Sequence, residues 1–206
     1  MRAPLSLTLA LLTVLAGTSS SPAQEAVDKA QVAAYDIRMF AGPPGKRAYA
    51  CFVRRYDAEH LARHPKQKVS EMKLLVSAEV PPDDEALERS FRLGFKYRHR
   101  PGNFDSSGHC GPVFGEDGKR ELRFACSVDC DGGGMEVALK DDNRSVLMQV
   151  ERISVWLHNN PDREAGESLL AGADDKIFRL ERVDNRECAS LVTNRKELAA
   201  MRTKRP

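Results

Sequence analysis

Two absences narrow the reading of these 206 residues before any motif is sought. Beyond Ala16 no stretch approaches the roughly 20 uninterrupted apolar residues that a membrane helix requires, so the rest of the chain predicts no membrane span. There is also no large excess of one charge. Lys plus Arg number 32 and Asp plus Glu 30, which leaves no support for bulk attraction to nucleic acid. No internal repeat, low-complexity linker or phosphate loop occurs, and Gly166-Glu167-Ser168-Leu169-Leu170 lacks the second glycine of a nucleophile elbow.

What is present begins with an export signal. Met1-Arg2 precedes the apolar run Leu5 to Ala16, too short for a stable anchor, and Ser21-Pro22-Ala23 supplies small residues for a signal peptidase. Cleavage is expected after Ala23, leaving residues 24–206 as a single domain. Thr18 stands where a lipoprotein signal places its cysteine. The expected destination is the periplasm or the medium. A chain of this length buries roughly 70% of its unfolded surface, enough for a self-sufficient core.

Alternation of apolar and polar residues dominates that domain. Phe91, Leu93, Phe95 and Tyr97 share one face of a strand, as do Met72, Leu74, Val76, Ala78 and Val80. Residues 121–128 and 135–140 repeat the pattern, and further strands are expected over 48–55 and 176–183. Between Ser145 and Leu157 the phase runs Val146, Met148, Val150 and then Ile153, Val155, Leu157. Both halves can face inward only with one extra residue, so a bulge is predicted at Glu151-Arg152. Helical signals are confined to Gln24–Ala34, a short turn capped by Asp57, and a terminal helix after Asn194, with a basic tail over 202–206. Seven or eight short antiparallel strands predict a mainly β sandwich or partly closed barrel. Residues 100–119, rich in glycine and without periodicity, read as a long loop, and such loops are often functional.

An exported chain is free to form disulfides, and five cysteines leave at least one unpaired within a monomer. Cys51 and Cys188 form the long-range set. One bridge is expected among Cys110, Cys126 and Cys130, with Cys130 as one end; buried free Cys126 is the alternative. Asp129-Cys130-Asp131-Gly132-Gly133-Gly134 joins two strands and reads as a hairpin whose glycines take positive φ. As a calcium loop it departs from the pattern, because Gly133 replaces the fifth-position ligand and Lys140 occupies the place of the bidentate glutamate. The Cys126 to Cys130 spacing is also one residue longer than that of a thioredoxin-like site.

His60 and His64 lie four apart, but Pro65 disfavours the helical dihedrals that would let both hold one metal. The acid pairs Asp83-Asp84, Asp141-Asp142 and Asp174-Asp175 are expected to make turns. Arg54-Arg55 and Arg98-His99-Arg100 are local basic clusters suited to an anionic envelope component such as a phosphorylated glycan.

The stretch Arg54 to Pro65, the Cys130-Asp131-Gly132-Gly133-Gly134 turn and Asp174-Asp175-Lys176-Ile177-Phe178-Arg179-Leu180 together resemble small exported proteobacterial proteins of unknown function. The resemblance spans most of the mature chain and implies a bacterial envelope address, with no activity, cofactor or site attached. The leading expectation is therefore a periplasmic or secreted non-enzymatic β domain without a cofactor, binding an unknown envelope ligand or protein through loop 100–119. Its candidate ligand-binding residues are His109, Asp129, Asp131, Arg98 and Arg100. The alternatives are a thiol- or metal-dependent enzyme using His109 and Cys110 with Cys126 or Cys130, and a purely structural envelope protein.

Overall fold

The computed structural model describes residues 28–82, 86–115, 121–158 and 166–203. The expected signal segment and Asp83-Asp84 lie outside the described residues. Among the described residues nine strands form one antiparallel sheet: β1 (Arg47–Arg55), β2 (Val69–Glu79), β3 (Glu88–Tyr97), β4 (Phe104–Phe114), β5 (Leu122–Ser127), β6 (Gly133–Lys140), β7 (Ser145–Leu157), β8 (Glu167–Leu170) and β9 (Ile177–Val183). Strands β1 to β7 pair in succession, and β9 bridges β7 and β1. The result is a closed eight-stranded barrel, with β8 attached outside the circuit to β7. Closure leaves no free edge in the barrel wall itself.

Eight strands enclose a space that side chains can fill. Here Phe52, Leu74, Phe91, Leu93, Phe124, Val137, Met148 and Phe178 all fill it and are fully buried or nearly so. Helix α1 (Lys29–Met39) belongs to the same core. Its Tyr35 hydroxyl donates to the Val137 carbonyl at 3.2 Å and accepts from the Leu139 N–H at 3.3 Å. Burial pushes that phenol's pKa upward. Buried Asp36 is held by Arg89 through two charge-assisted bonds, one of 2.8 Å from Nε. The helix begins at Lys29, capped by Asp28, and runs past the expected end at Ala34 because Tyr35, Asp36 and Met39 all find buried partners.

A second, smaller core lies on the outside. Strand β1 is buried on both faces: Ala48, Ala50 and Phe52 point in, whereas Tyr49, Cys51 and Val53 meet Cys188, Val192 and Met201. The covering layer is a 3₁₀ segment (Asn185–Leu191), absent from the sequence reading, followed by helix α3 (Arg195–Thr203). Asn194 caps α3 by accepting from the Lys196 and Glu197 N–H groups. The Glu197 carboxylate forms a bidentate pair with Arg92 at 2.7 and 3.0 Å.

The bulge in β7 falls where the phase break predicts. Gly134 opposes Arg152 and Met135 opposes Val150, so Glu151 is the extra residue, and Val150 and Ile153 both stay buried. After the bulge β7 leaves the short β6, pairs with β8, and reaches β4, where Leu157 opposes Phe104 and Trp156 opposes Asp105.

Candidate functional site

The segment expected to be a loop is a barrel strand. β4 is paired to β3 through residues 104–110 and to β5 through residues 109–114. Its inward positions are Phe104, Ser106, Gly108 and Cys110, which conceals the usual apolar alternation. Small residues are required there: a methyl on Gly108 would overlap the Ser127 carbonyl and meet the Phe91 ring. The expected loop is thereby corrected to a strand over residues 104–114, and residues 116–119 lie outside the described residues.

Two disulfides are present. Cys51 bonds Cys188 and pins the outer layer to β1. The second bridge joins Cys110 to Cys126, which correct the expected involvement of Cys130. These two residues face each other directly across the β4–β5 ladder with Cα atoms 4.0 Å apart, whereas Cys130 is exposed in the following turn. In that turn Cys130 and Asp131, with Gly133, adopt positive φ, so the left-handed positions are not confined to glycine. Among the described residues no group of three or more His, Cys, Asp and Glu has metal-holding geometry. Within the thiol-based alternative, only Cys130 retains a free sulfur.

The five candidate ligand residues do not converge. His109 is an exposed residue of β4 opposite Ser127, and Asp129 and Asp131 are exposed in the β5–β6 turn. Arg98 donates to the carbonyls of Leu61 and His64 at the end of helix α2 (Ala58–Arg63). Arg100 pairs with Glu167 of β8 and lies 4.6 Å from the Phe104 ring centroid.

A different pair, missed in the sequence, is assembled instead. Because β7 crosses to β4 after its bulge, the His158 N–H donates to the Asn103 carbonyl at 2.7 Å, and its Nδ1 lies 2.6 Å from Asp105 Oδ2. With Nδ1 protonated, the carboxylate accepts and Nε2 carries the lone pair, an arrangement able to take up a proton or receive a ligand's donor. Two cavities meet at this pair. One, of about 250 Å³, adds Glu71, Lys96, Asn103 and Ser190. The other, of about 200 Å³, adds Arg92, Ser107, Trp156 and Thr193. Leu191 lines both and lies across Gly94, where a larger residue would displace it.

Charge in this cleft is largely matched. Burial tends to raise the Glu71 pKa, but the Lys96 hydrogen bond at 2.8 Å and the charges of Lys96, Lys73 and Arg55 outweigh it, and the net shift is downward. No local signal joins Asp105 to His158, which are separated by 53 positions, one in an aperiodic segment and one just beyond a predicted strand.

A second constellation surrounds α2. Asp57 caps the helix by accepting from the His60 N–H at 2.7 Å, as its position predicts. The rings of Tyr56 and His60 stack at 4.6 Å, and those of His60 and His64 at 4.3 Å. Asp174 and Asp175 serve the backbone here: Asp175 accepts from the N–H groups of Lys68 and Val69, and Asp174 from that of Lys66. Burial raises the Asp175 pKa even though those two bonds favour its anion.

The chain matches no family model, no curated protein and no solved structure. Among the described residues no helix is long and apolar enough to cross a membrane.

Proposed function

We propose that the protein is an exported, non-enzymatic β barrel that binds an envelope ligand or partner through the outer cleft around Asp105 and His158. The observation that carries this reading is a barrel interior occupied by its own side chains, while two cavities meet on the outside at one hydrogen-bonded pair. Residues 103–107 of the segment first read as a loop supply the floor. The two disulfides accord with a periplasmic or secreted address reached by cleavage after Ala23.

The test is capture from an envelope extract by immobilised wild type and by Ser107→Trp, which fills the cleft from an exposed position. Loss of the captured species in the variant, with an unchanged unfolding midpoint, is expected. An identical set of captured species refutes the assignment. Intact-mass measurement of exported material tests the address: a chain starting at Gln24 is expected, and a full-length cytosolic chain overturns it.

The Asp105–His158 hydrogen bond favours one second reading, in which His158 acts as a general base toward a hydroxyl in the cleft. Labelling of Ser107 by a fluorophosphonate probe, abolished by His158→Ala, would select this reading over simple binding.

A further inference from the structure

We propose that the ledge formed by the end of β1, helix α2 and residues 173–179 is a separate binding site for a small sugar phosphate. The ledge encloses a cavity of about 470 Å³, within the usual size range of small-molecule sites. It is lined by Arg54, His64, Ala173, Asp174, Lys176 and Ile177, among others. The sequence separates residues 54–64 from residues 173–177 by more than a hundred positions; the contact of β1 with β9 brings the two groups together.

One wall is a column of flat groups. The Arg54 guanidinium lies 4.9 Å from the Tyr56 ring centroid, Tyr56 stacks on His60, and His60 stacks on His64. His60 is fixed by Gln67 Oε1 at 3.0 Å, and buried Gln67 is fixed in turn by its bond to the Val69 carbonyl. Arg98 and the Asp175 carboxylate tie down the backbone on either side of this turn. The column is therefore built before any ligand arrives, which reduces the entropy lost on binding. Stacked rings present faces to each other, and one His60 nitrogen is already engaged, so the column is poorly arranged to chelate a metal.

Charge selects the ligand. Arg54 Nε is buried without a hydrogen-bond partner, and neither Arg54 nor Lys176 has a carboxylate partner among the described residues. Arg179, also on the ledge, is occupied by Asp141 and Glu181. Asp174 is the carboxylate that lines the cavity; it accepts from the Lys66 N–H and lies 3.9 Å from His64 Nδ1. A phosphate group would meet the Arg54 and Lys176 cations. The adjoining surface is the partly exposed His64 ring and Ile177, whose side chain is 55% exposed. A sugar offers both requirements, an apolar C–H face for that surface and hydroxyls that remain in water.

The experiment is titration of the folded mature protein with glucose 6-phosphate, glucose and inorganic phosphate, followed by amide NMR shifts. Glucose 6-phosphate is expected to move amides of residues 54–67 and 173–179, inorganic phosphate to act more weakly on the same amides, and glucose to leave them unmoved. Lys176→Glu, an exposed change, is expected to weaken glucose 6-phosphate binding roughly tenfold or more. No shift at millimolar glucose 6-phosphate, shifts elsewhere, or unchanged binding by Lys176→Glu overturns the site. Equal affinity for inorganic phosphate overturns the sugar component. Ser107→Trp should leave this titration unaltered, so failure here and failure of the outer cleft are separately visible.

Discussion

Removing each disulfide in turn, as Cys51→Ala/Cys188→Ala and Cys110→Ala/Cys126→Ala, should expose a large difference between them. The bridges close segments of 137 and 16 residues, and loop-closure entropy assigns them about 5 and about 3 kcal/mol respectively. The small loop lies inside the large one, but the dependence on length is logarithmic and the nesting alters the larger figure little. With a urea dependence of about 2 kcal/mol per molar, the midpoint should fall by about 2.5 M for the first pair and about 1.5 M for the second. The single tryptophan, Trp156, which opposes Asp105 across β4 and β7, provides the fluorescence signal. The first variant should also release the 3₁₀ segment and α3 to protease, since Cys188 anchors that layer to β1. Equal midpoint losses, or a greater loss for the second pair, would refute the argument.

Other perturbations probe separate parts of the fold. Gly108→Ala should destabilise by about 1 to 3 kcal/mol in urea unfolding, because the new methyl meets the Ser127 backbone, whereas Gly111→Ala, with open space around it, should be nearly neutral. Deleting Glu151 should be tolerated far better than deleting Ser154, because loss of the extra residue leaves Val150, Ile153 and Val155 on the inward face in regular alternation, whereas loss of Ser154 turns Val155 outward; equal unfolding midpoints for the two variants would contradict the bulge. The lowered Glu71 pKa contributes stability above the ordinary carboxylate range, and this is lost as pH falls through the folded-state value. Denaturation between pH 6 and 3 should therefore show a shallower decline for Glu71→Gln than for wild type.

Where burial was one-sided, the sequence was readable. The alternation in β3, β5 and β6 has one face in the barrel, and the phase slip at Glu151 could be located because Val150 and Ile153 both had to remain inside. Asp57 and Asn194 were equally legible, since a helix cap is satisfied by N–H groups two or three residues away. β4 was hidden because Ser106, Gly108 and Cys110 occupy inward positions that usually carry large apolar groups. The Cys110–Cys126 pairing depended on register across two strands, and that register could not be assigned while β4 was read as a loop.

By itself the sequence determined a mainly β domain, the position of its bulge and the caps of its helices, all consequences of periodicity and short-range hydrogen bonding. Tertiary structure decided closure into a barrel, the choice of Cys126 over Cys130, the meeting of Asp105 with His158, and the placing of Arg54 and Lys176 around one cavity. Each of those contacts depends on which strands become neighbours. Neighbour choice is settled by burying the whole interior at once, and no local stretch of chain contains it.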